Sequence, residues 1–386
     1  MIKRFLFFCL LFCFPFFLSA SSVKIGLFTD HQISSVWFSP DHGNYVLFGD
    51  TLRIIELDEK SSIQLLVKND QVIVKFNGKH LGSFKKVKLV GEEAPNSFKI
   101  KPLSPTMPDR IYNDNLEITV SGRFLSFVNR VNIDHYVAGV VESENGIKQK
   151  FEYYKAKSII CRTYALSNLR KHEGEGYNLC DRVHCQVYKS KNLLNDDILM
   201  AAVATTGVVL VDSDLQLITA AFHSNCGGQT VNSEDVWSMP TSYLKAVSDT
   251  FCLNQPHASW EVKLKTNEWT SYFAKFHKHD IADSIKNTCV LGYNQTLREI
   301  DFTCQELKVP FKTIRSDFKL KSTFFSLHHN DDELIIKGKG YGHGIGLCQE
   351  GAMRMSELGY KYPKILHFYY QNIHLVDLSV LDFFKE

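Results

Sequence analysis

The stretch VNRVNIDHYVAGVVESENG, residues 128–146, is where the period of the chain changes from that of a strand to that of a helix. Val137, Val140 and Val141 recur at i, i+3 and i+4, the stripe of a helix with one buried face. Continuing that stripe reaches Glu144 at i+7. Glu142, at i+5, falls roughly 140° away and is expected to face solvent. One carboxylate therefore lies in phase with the buried face at a helix end, a setting suited to proton transfer. Most helix-end glutamates are solvated caps, so periodicity alone leaves its role open.

Upstream, residues 23–130 read as strands. Short alternating or β-branched runs (Val23–Phe28, Leu52–Leu57, Ile63–Val67, Gln71–Phe76, Leu116–Val120) are separated by Asn, Asp and Gly turns. Downstream, a longer helix is expected from Phe151 to Lys171, with Ala156 and Ala165 inside it and Arg170 and Lys171 at its C-terminal end. A loop bearing Gly, Asp and Cys covers 172–192. A helix near 195–205 precedes two strand-like runs, Val208–Val211 and Gln216–Phe222. Residues 258–330 mix strand and helix without a motif, and helices are expected at 345–358 and from Tyr360 to Tyr370. The fold class is α+β, a β-rich N-terminal part followed by a mixed helix and strand region. The expected division is 1–20 signal peptide, 21–115 β-rich region, 116–373 catalytic region and 374–386 tail.

Composition narrows the function. The chain has 386 residues, 44% hydrophobic and 22% charged, which is globular rather than disordered. Its 44 basic and 42 acidic residues give a net charge of +2 with no basic block, so nucleic acid is not an expected partner. Lys3 and Arg4 precede an apolar run from Phe5 to Leu18, and Leu18-Ser19-Ala20 supplies small residues at a cleavage point. This pattern predicts export, with a mature chain that begins near Ser21. Cleavage removes Cys9 and Cys13 and leaves the other cysteines in a compartment where disulfides form.

Three further segments carry side chains able to do chemistry. In HEGEGYNLCDRVHC, residues 172–185, His172, Cys180, His184 and Cys185 offer the nitrogen and sulfur donors that tetrahedral zinc takes. Spacing alone leaves a Cys180–Cys185 disulfide equally open. In AFHSNCGGQT, residues 221–230, a strand delivers His223, Ser224 and Asn225 into a glycine turn, either a ligand-facing loop or a capped β-turn. In GKGYGHGIGLCQEGA, residues 338–352, glycines surround Tyr341 and His343 before a helix starts, which favours a binding site. A Cys226–Cys252 disulfide would pin the loop that carries Ser224. Cys161 and Cys348 read as packed apolar residues without a redox role.

Taken together and in order, these segments resemble the stage II sporulation protein D family (SpoIID/LytB, the amidase-enhancer family). The resemblance rests on VNRVNIDHYVAGVVESENG, YYKAKSIICRTYALSN, CDRVHCQVYK, HSNCGGQTVNSEDVW, YLKAV, FKLKSTFF, GKGYGHGIGLCQEGAMRMSELGY and ILHFYY, from about residue 116 to 373. It implies an exported protein acting on bacterial peptidoglycan. In its lytic transglycosylase branch such a protein cuts glycan strands stripped of stem peptides, leaving 1,6-anhydromuramic acid ends. The resemblance places the catalytic glutamate on Glu144. It places substrate-binding residues on Lys155, Arg162, Ser224, His343 and Gln349, and a structural zinc on His172, Cys180, His184 and Cys185. Asn145-Gly146 stands where the family usually has Met-Pro.

The expected function is thus a periplasmic or wall-facing lytic transglycosylase in wall remodelling or division, with a septal location implied by the same resemblance. The alternative is a non-catalytic glycan-binding enhancer of an N-acetylmuramoyl-L-alanine amidase. A zinc hydrolase is disfavoured, because two Cys and two His fill a tetrahedral site and leave no position for water.

Overall fold

The computed structural model describes residues 22–145, 147–237, 239–276, 289–305, 307–330 and 332–378. The expected signal segment, the Gly146 turn and most of the expected C-terminal tail lie outside the described residues. The protein is α+β, as its sequence periods imply.

Alternation builds the N-terminal part. In the strand Phe124–Asn132 every second side chain is buried, with Leu125, Phe127, Asn129 and Val131 on the inner face. This strand pairs antiparallel with Ser22–Leu27 on one side and Asn115–Ser121 on the other. Lys86–Gly91, Tyr45–Gly49 and Leu52–Leu57 continue the sheet outward, and Leu179–Cys180 joins its opposite edge in parallel. A second sheet runs in the order Arg110–Asn113, Ser97–Ser104, Ser35–His42, Ile63–Lys68, Gln71–Phe76, Lys79–Phe84. The two sheets share one core, in which Phe38, Leu65 and Val74 belong with Leu47, Leu89, Ile118 and Phe127. The sheet continues across residue 116, because Asn115–Ser121 pairs with both Lys86–Gly91 and Phe124–Asn132. Ser35–His42 carried no readable signal. It contains Pro40 beside a shift in register, the place a sheet tolerates proline.

The chain leaves this sheet directly into the first helix, Ile133–Asn145, followed by the long helix, Phe151–Ser167. The long helix stops four residues before the expected Lys171, in turns closed by Asn168 and Lys171. Gly139 lets a later loop lie flat on the first helix. A Cβ there would come 2.5 Å from both the Ser190 carbonyl oxygen and the Tyr188 ring.

Residues 259–339, most of which the sequence reading left without a usable motif, form a module with its own core. Strands Ser259–Lys265, Phe325–Asn330 and Glu333–Lys339 make a three-stranded sheet. Trp260, Trp269, Phe302, Phe311 and Ile336 pack together there. A Cys289–Cys304 disulfide closes part of the module, a pairing that the sequence reading did not anticipate.

The two helices are locked by a buried ion pair. Arg162, 1% exposed, donates to Asp134 Oδ1 at 2.7 Å through one terminal nitrogen and to the carbonyls of Ala202 (2.8 Å) and Val208 (3.1 Å). Asp134 also accepts from the Thr206 hydroxyl at 2.6 Å. Arg162, which the family resemblance placed among the substrate-binding residues, is therefore a joint of the scaffold. Removing it would strand a buried carboxylate. Arg162→Ala should lower unfolding stability by about 3 kcal/mol, read as a lower midpoint in denaturant. Unchanged stability with weakened glycan binding would restore the substrate role.

Candidate active site and metal cluster

Glu144 sits in the last turn of the first helix with its side chain 13% exposed. Its Oε2 lies 3.1 Å from the Lys157 ammonium, and the Val187 N–H donates to Oε1 at 3.3 Å. The lysine contact is an ion pair rather than an aligned hydrogen bond, so Oε2 has no hydrogen-bond partner among the described residues. Lys157 is 1% exposed. Its ammonium donates to Gln349 Oε1 at 3.2 Å and lies 2.9 Å from the centroid of the Phe222 ring. A charge this deep in a protein must be compensated, and here one carboxylate, one amide oxygen and one ring face do so.

Gln349 arrives from the glycine-rich segment. Leu347–Cys348 pairs in parallel with Phe222–His223, and the helix Gln349–Glu357 starts at once. The crossing depends on Gly346 (φ 67°), where a Cβ would sit 2.2 Å from the Ala221 carbonyl oxygen. His343 stands next to His223, with ring centroids 5.5 Å apart, and 5.7 Å from the Trp237 ring. Burial pushes the His343 imidazole down to about 4, so it is neutral at physiological pH and its Nδ1 accepts from the Ile345 N–H. Burial likewise holds His223 well below its ordinary value. The Ser224 carbonyl accepts from the Glu350 N–H, tying this turn to the same helix start.

Of the expected substrate residues, the structure thus gathers Ser224, His343 and Gln349 around two adjoining segments, but not Lys155 or Arg162. Lys155 pairs with Glu152 at 3.3 Å and lies over the rings of Phe151 and Tyr362, and it does not reach Glu144. The lysine that meets the carboxylate is Lys157, which the sequence reading missed. The signal was present: Lys157 lies four residues from both Tyr153 and Cys161, on the buried stripe of the long helix. Trp237, 44% exposed beside His343, was missed as well.

Glu142 is half-buried and capped by a loop rather than simply facing solvent. Its carboxylate accepts from the Asn192 amide at 2.6 Å and from the backbone N–H groups of Leu193, Leu194 and Asn195 at 2.8, 2.9 and 3.2 Å. Helical phase correctly separated it from Glu144, but phase does not reveal a loop that folds over the outer face.

That loop begins at the cysteine and histidine cluster. Cys185 Sγ lies 3.4 Å from His172 Nε2 and 3.8 Å from His184 Nδ1, and Cys180 Sγ lies 3.8 Å from His184 Nδ1. All four donor atoms fall within 4.8 Å of one another, so His172 closes the set despite its distance in sequence. His172 Nδ1 is bonded to Glu175 Oε1 at 2.6 Å, and its ring stacks on Tyr177. A carboxylate on the far nitrogen is the usual support for a metal-binding imidazole. Two thiolates and two imidazoles at this closeness fit tetrahedral zinc. From Cys185 the chain runs along the first helix, where Gln186 accepts from the Tyr136 hydroxyl at 3.2 Å, Val187 donates to Glu144, and the Lys189 N–H donates to the Ser143 hydroxyl at 3.3 Å.

Comparison with known proteins agrees with this layout. The family model SpoIID, described as stage II sporulation protein, matches residues 122–211, which hold both helices and the metal cluster. An uncharacterized protein of Brachyspira hyodysenteriae is 29% identical over 274 residues, 69% of this chain and 70% of that one. Stage II sporulation protein D of Bacillus amyloliquefaciens is 28% identical over 286 residues, 67% of this chain and 77% of its own length. The amidase enhancer of Bacillus subtilis is 27% identical over 336 residues, 71% of this chain but only 46% of that longer protein. The chain is thus similar to the stage II sporulation protein D (SpoIID) family, most directly over residues 122–211.

Proposed function

We propose that this protein acts on the bacterial cell wall as a peptidoglycan lytic transglycosylase, exported to the periplasmic or wall-facing side, with Glu144 as its acid and base. The observation that carries this reading is a solitary carboxylate. Glu144 keeps one oxygen without a hydrogen bond beside Lys157, while Glu142 is engaged by four donors. Ordinary glycosidases need a second free carboxylate as nucleophile or as base for water. A transglycosylase needs none, because the substrate supplies the nucleophile.

In the reacting complex Glu144 must first take up a proton from solvent, and it then gives that proton to the departing glycosidic oxygen as the bond to the anomeric carbon of the muramic acid breaks. The 6-hydroxyl of that same sugar then attacks the anomeric carbon, and the ionised Glu144 takes the hydroxyl proton. The 1,6-anhydro ring forms and the carboxylic acid is restored. Attack within one sugar is favoured by proximity. Lys157 holds a fixed positive charge beside the carboxylate through both steps. Ser224, His343 and Gln349 line the approach, and the exposed Trp237 ring offers an apolar face to a sugar. Glycan strands are the substrate in this reading, with stem peptides removed. Zinc at His172, Cys180, His184 and Cys185 is structural, fixing the segment whose Val187 N–H meets Glu144.

The name of the Bacillus subtilis relative favours one second reading, a non-catalytic protein that binds glycan and stimulates an N-acetylmuramoyl-L-alanine amidase. Purified protein on denuded glycan separates the two. Products ending in 1,6-anhydromuramic acid support the first, whereas no cleavage with stimulation of an added amidase supports the second.

Glu144→Gln should reduce cleavage by about 10³-fold with glycan binding retained. Glu142→Gln should keep its turnover yet lose about 2 kcal/mol of stability, because an amide offers one acceptor oxygen to four donors. Wild-type cleavage by Glu144→Gln removes the assignment.

Lys157→Met should lower kcat by about 10²-fold, and Lys155→Met should leave it near wild type. The reverse order would return the role to Lys155.

His172→Ala/His184→Ala should reduce zinc content by about one per chain and lower kcat while Glu144 stays in place. Unchanged metal content, or a Cys180–Cys185 disulfide found by mass spectrometry, would reject zinc in the loop.

A further inference from the structure

Close in sequence to Ser224 and Gln349, the main core contains a second group of metal-type donors, away from the helix loop. Cys226, Asp249, Cys252 and Cys348 come from three separate segments, and the Sγ atoms and one carboxylate oxygen all lie within 4.8 Å of one another. Cys226 Sγ is 3.4 Å from Cys252 Sγ and 3.3 Å from Asp249 Oδ2. Tetrahedral zinc with bonds of ~2.3 Å to sulfur sets its ligands ~3.8 Å apart, so little movement is needed to close the shell. All four residues are 0% exposed.

Hydrogen-bond donors surround two of the four donor groups, Cys348 and Asp249. Cys348 is the N-cap of the helix Gln349–Glu357, and its sulfur accepts from the N–H groups of Gly351 at 3.4 Å and Cys226 at 3.3 Å. The helix N-terminus and the two N–H groups point their positive ends at this sulfur, as they would at a metal-bound thiolate. Asp249 Oδ2 accepts from the Tyr369 hydroxyl at 2.9 Å, and Oδ1 from the Phe251 N–H at 2.9 Å. Asp249 forms no ion pair among the described residues, and a fully buried carboxylate without a cation is costly.

We propose that Cys226, Cys252, Cys348 and Asp249 form a second, structural zinc site beneath the candidate active site. It would join the Ser224–Gly228 turn, the turn at Cys252 and the start of the helix that presents Gln349. The expected Cys226–Cys252 disulfide is its competitor. The two sulfurs stand unbonded in the structure, and their union would leave the buried Asp249 carboxylate with no ion pair among the described residues. Cys348 is then a ligand rather than an apolar filler. This site goes beyond the function proposed above and does not depend on zinc in the loop.

The test is metal analysis of the full exported chain, purified without chelator, as wild type, as His172→Ala/His184→Ala and as Cys226→Ser/Cys252→Ser. The loop variant should keep about one tightly held zinc, and the core variant should hold about one fewer than wild type. If the core variant fails to fold, the loop variant decides alone. Loaded with cobalt(II), it should show the thiolate charge-transfer and intense visible bands of a tetrahedral sulfur site. A loop variant free of metal, a core variant with the wild-type zinc content, or a Cys226–Cys252 disulfide recovered by mass spectrometry would overturn the proposal. Failure of the loop site is read separately, as a loop variant whose metal content equals that of wild type.

Discussion

A lysine 1% exposed in the middle of a helix must be neutralised where it stands, and the arrangement of this protein follows from how Lys157 is neutralised. Its ammonium cannot reach solvent, so three other segments come to it. The first helix supplies Glu144, the strand Phe222–His223 supplies a ring face, and the glycine-rich segment supplies the Gln349 amide. The residues that converge for this electrostatic reason also surround the carboxylate with the best case for chemistry. Scaffold and site therefore share one interaction. The buried Asp134–Arg162 pair plays a different part, holding the two helices at the depth where that meeting can occur.

Much of this was legible wherever a period could be read. The switch from alternation to a helical stripe at Ile133 located the first helix, and its phase separated Glu144 from Glu142. The cysteine and histidine cluster was legible as four zinc-type donors, but spacing alone left a Cys180–Cys185 disulfide equally open, and only the structure brings all four donors together. What the sequence hid was contact between distant segments. Lys155 and Lys157 are both plausible lysines on one helix, and choosing between them requires knowing which stripe faces Glu144. Glu142 seemed free because nothing local shows that residues 192–195 return to cap it. Arg162 has the residue type of a sugar-binding side chain, yet its buried position commits it to Asp134. Most of the module at 259–339 has no sequence signature because its core joins strands and helices far apart in the chain.

The cysteines follow the same logic. The export expected from the N-terminal pattern suggests disulfides, and one is present at Cys289–Cys304, in a pairing that spacing did not reveal. It is not met at Cys226 and Cys252, which are near each other but unbonded, with Cys348 and Asp249 completing the group. Compartment chemistry says which bonds are allowed, and only geometry says which sulfurs share their space with a carboxylate.

Glycine links these arguments, because each close approach requires the loss of a side chain. At Gly139 the loop that leaves the metal cluster lies against the first helix, which lets Val187 reach Glu144 and residues 192–195 reach Glu142. At Gly346 the glycine-rich segment crosses the Ala221 carbonyl, which lets Leu347–Cys348 pair with Phe222–His223 and carries Gln349 to Lys157. A methyl group at either point would push one flank of the carboxylate away. The glycines around His343 are thus needed for access by the protein's own backbone as much as for any ligand. The site is precise because its two walls meet where nothing larger than hydrogen fits.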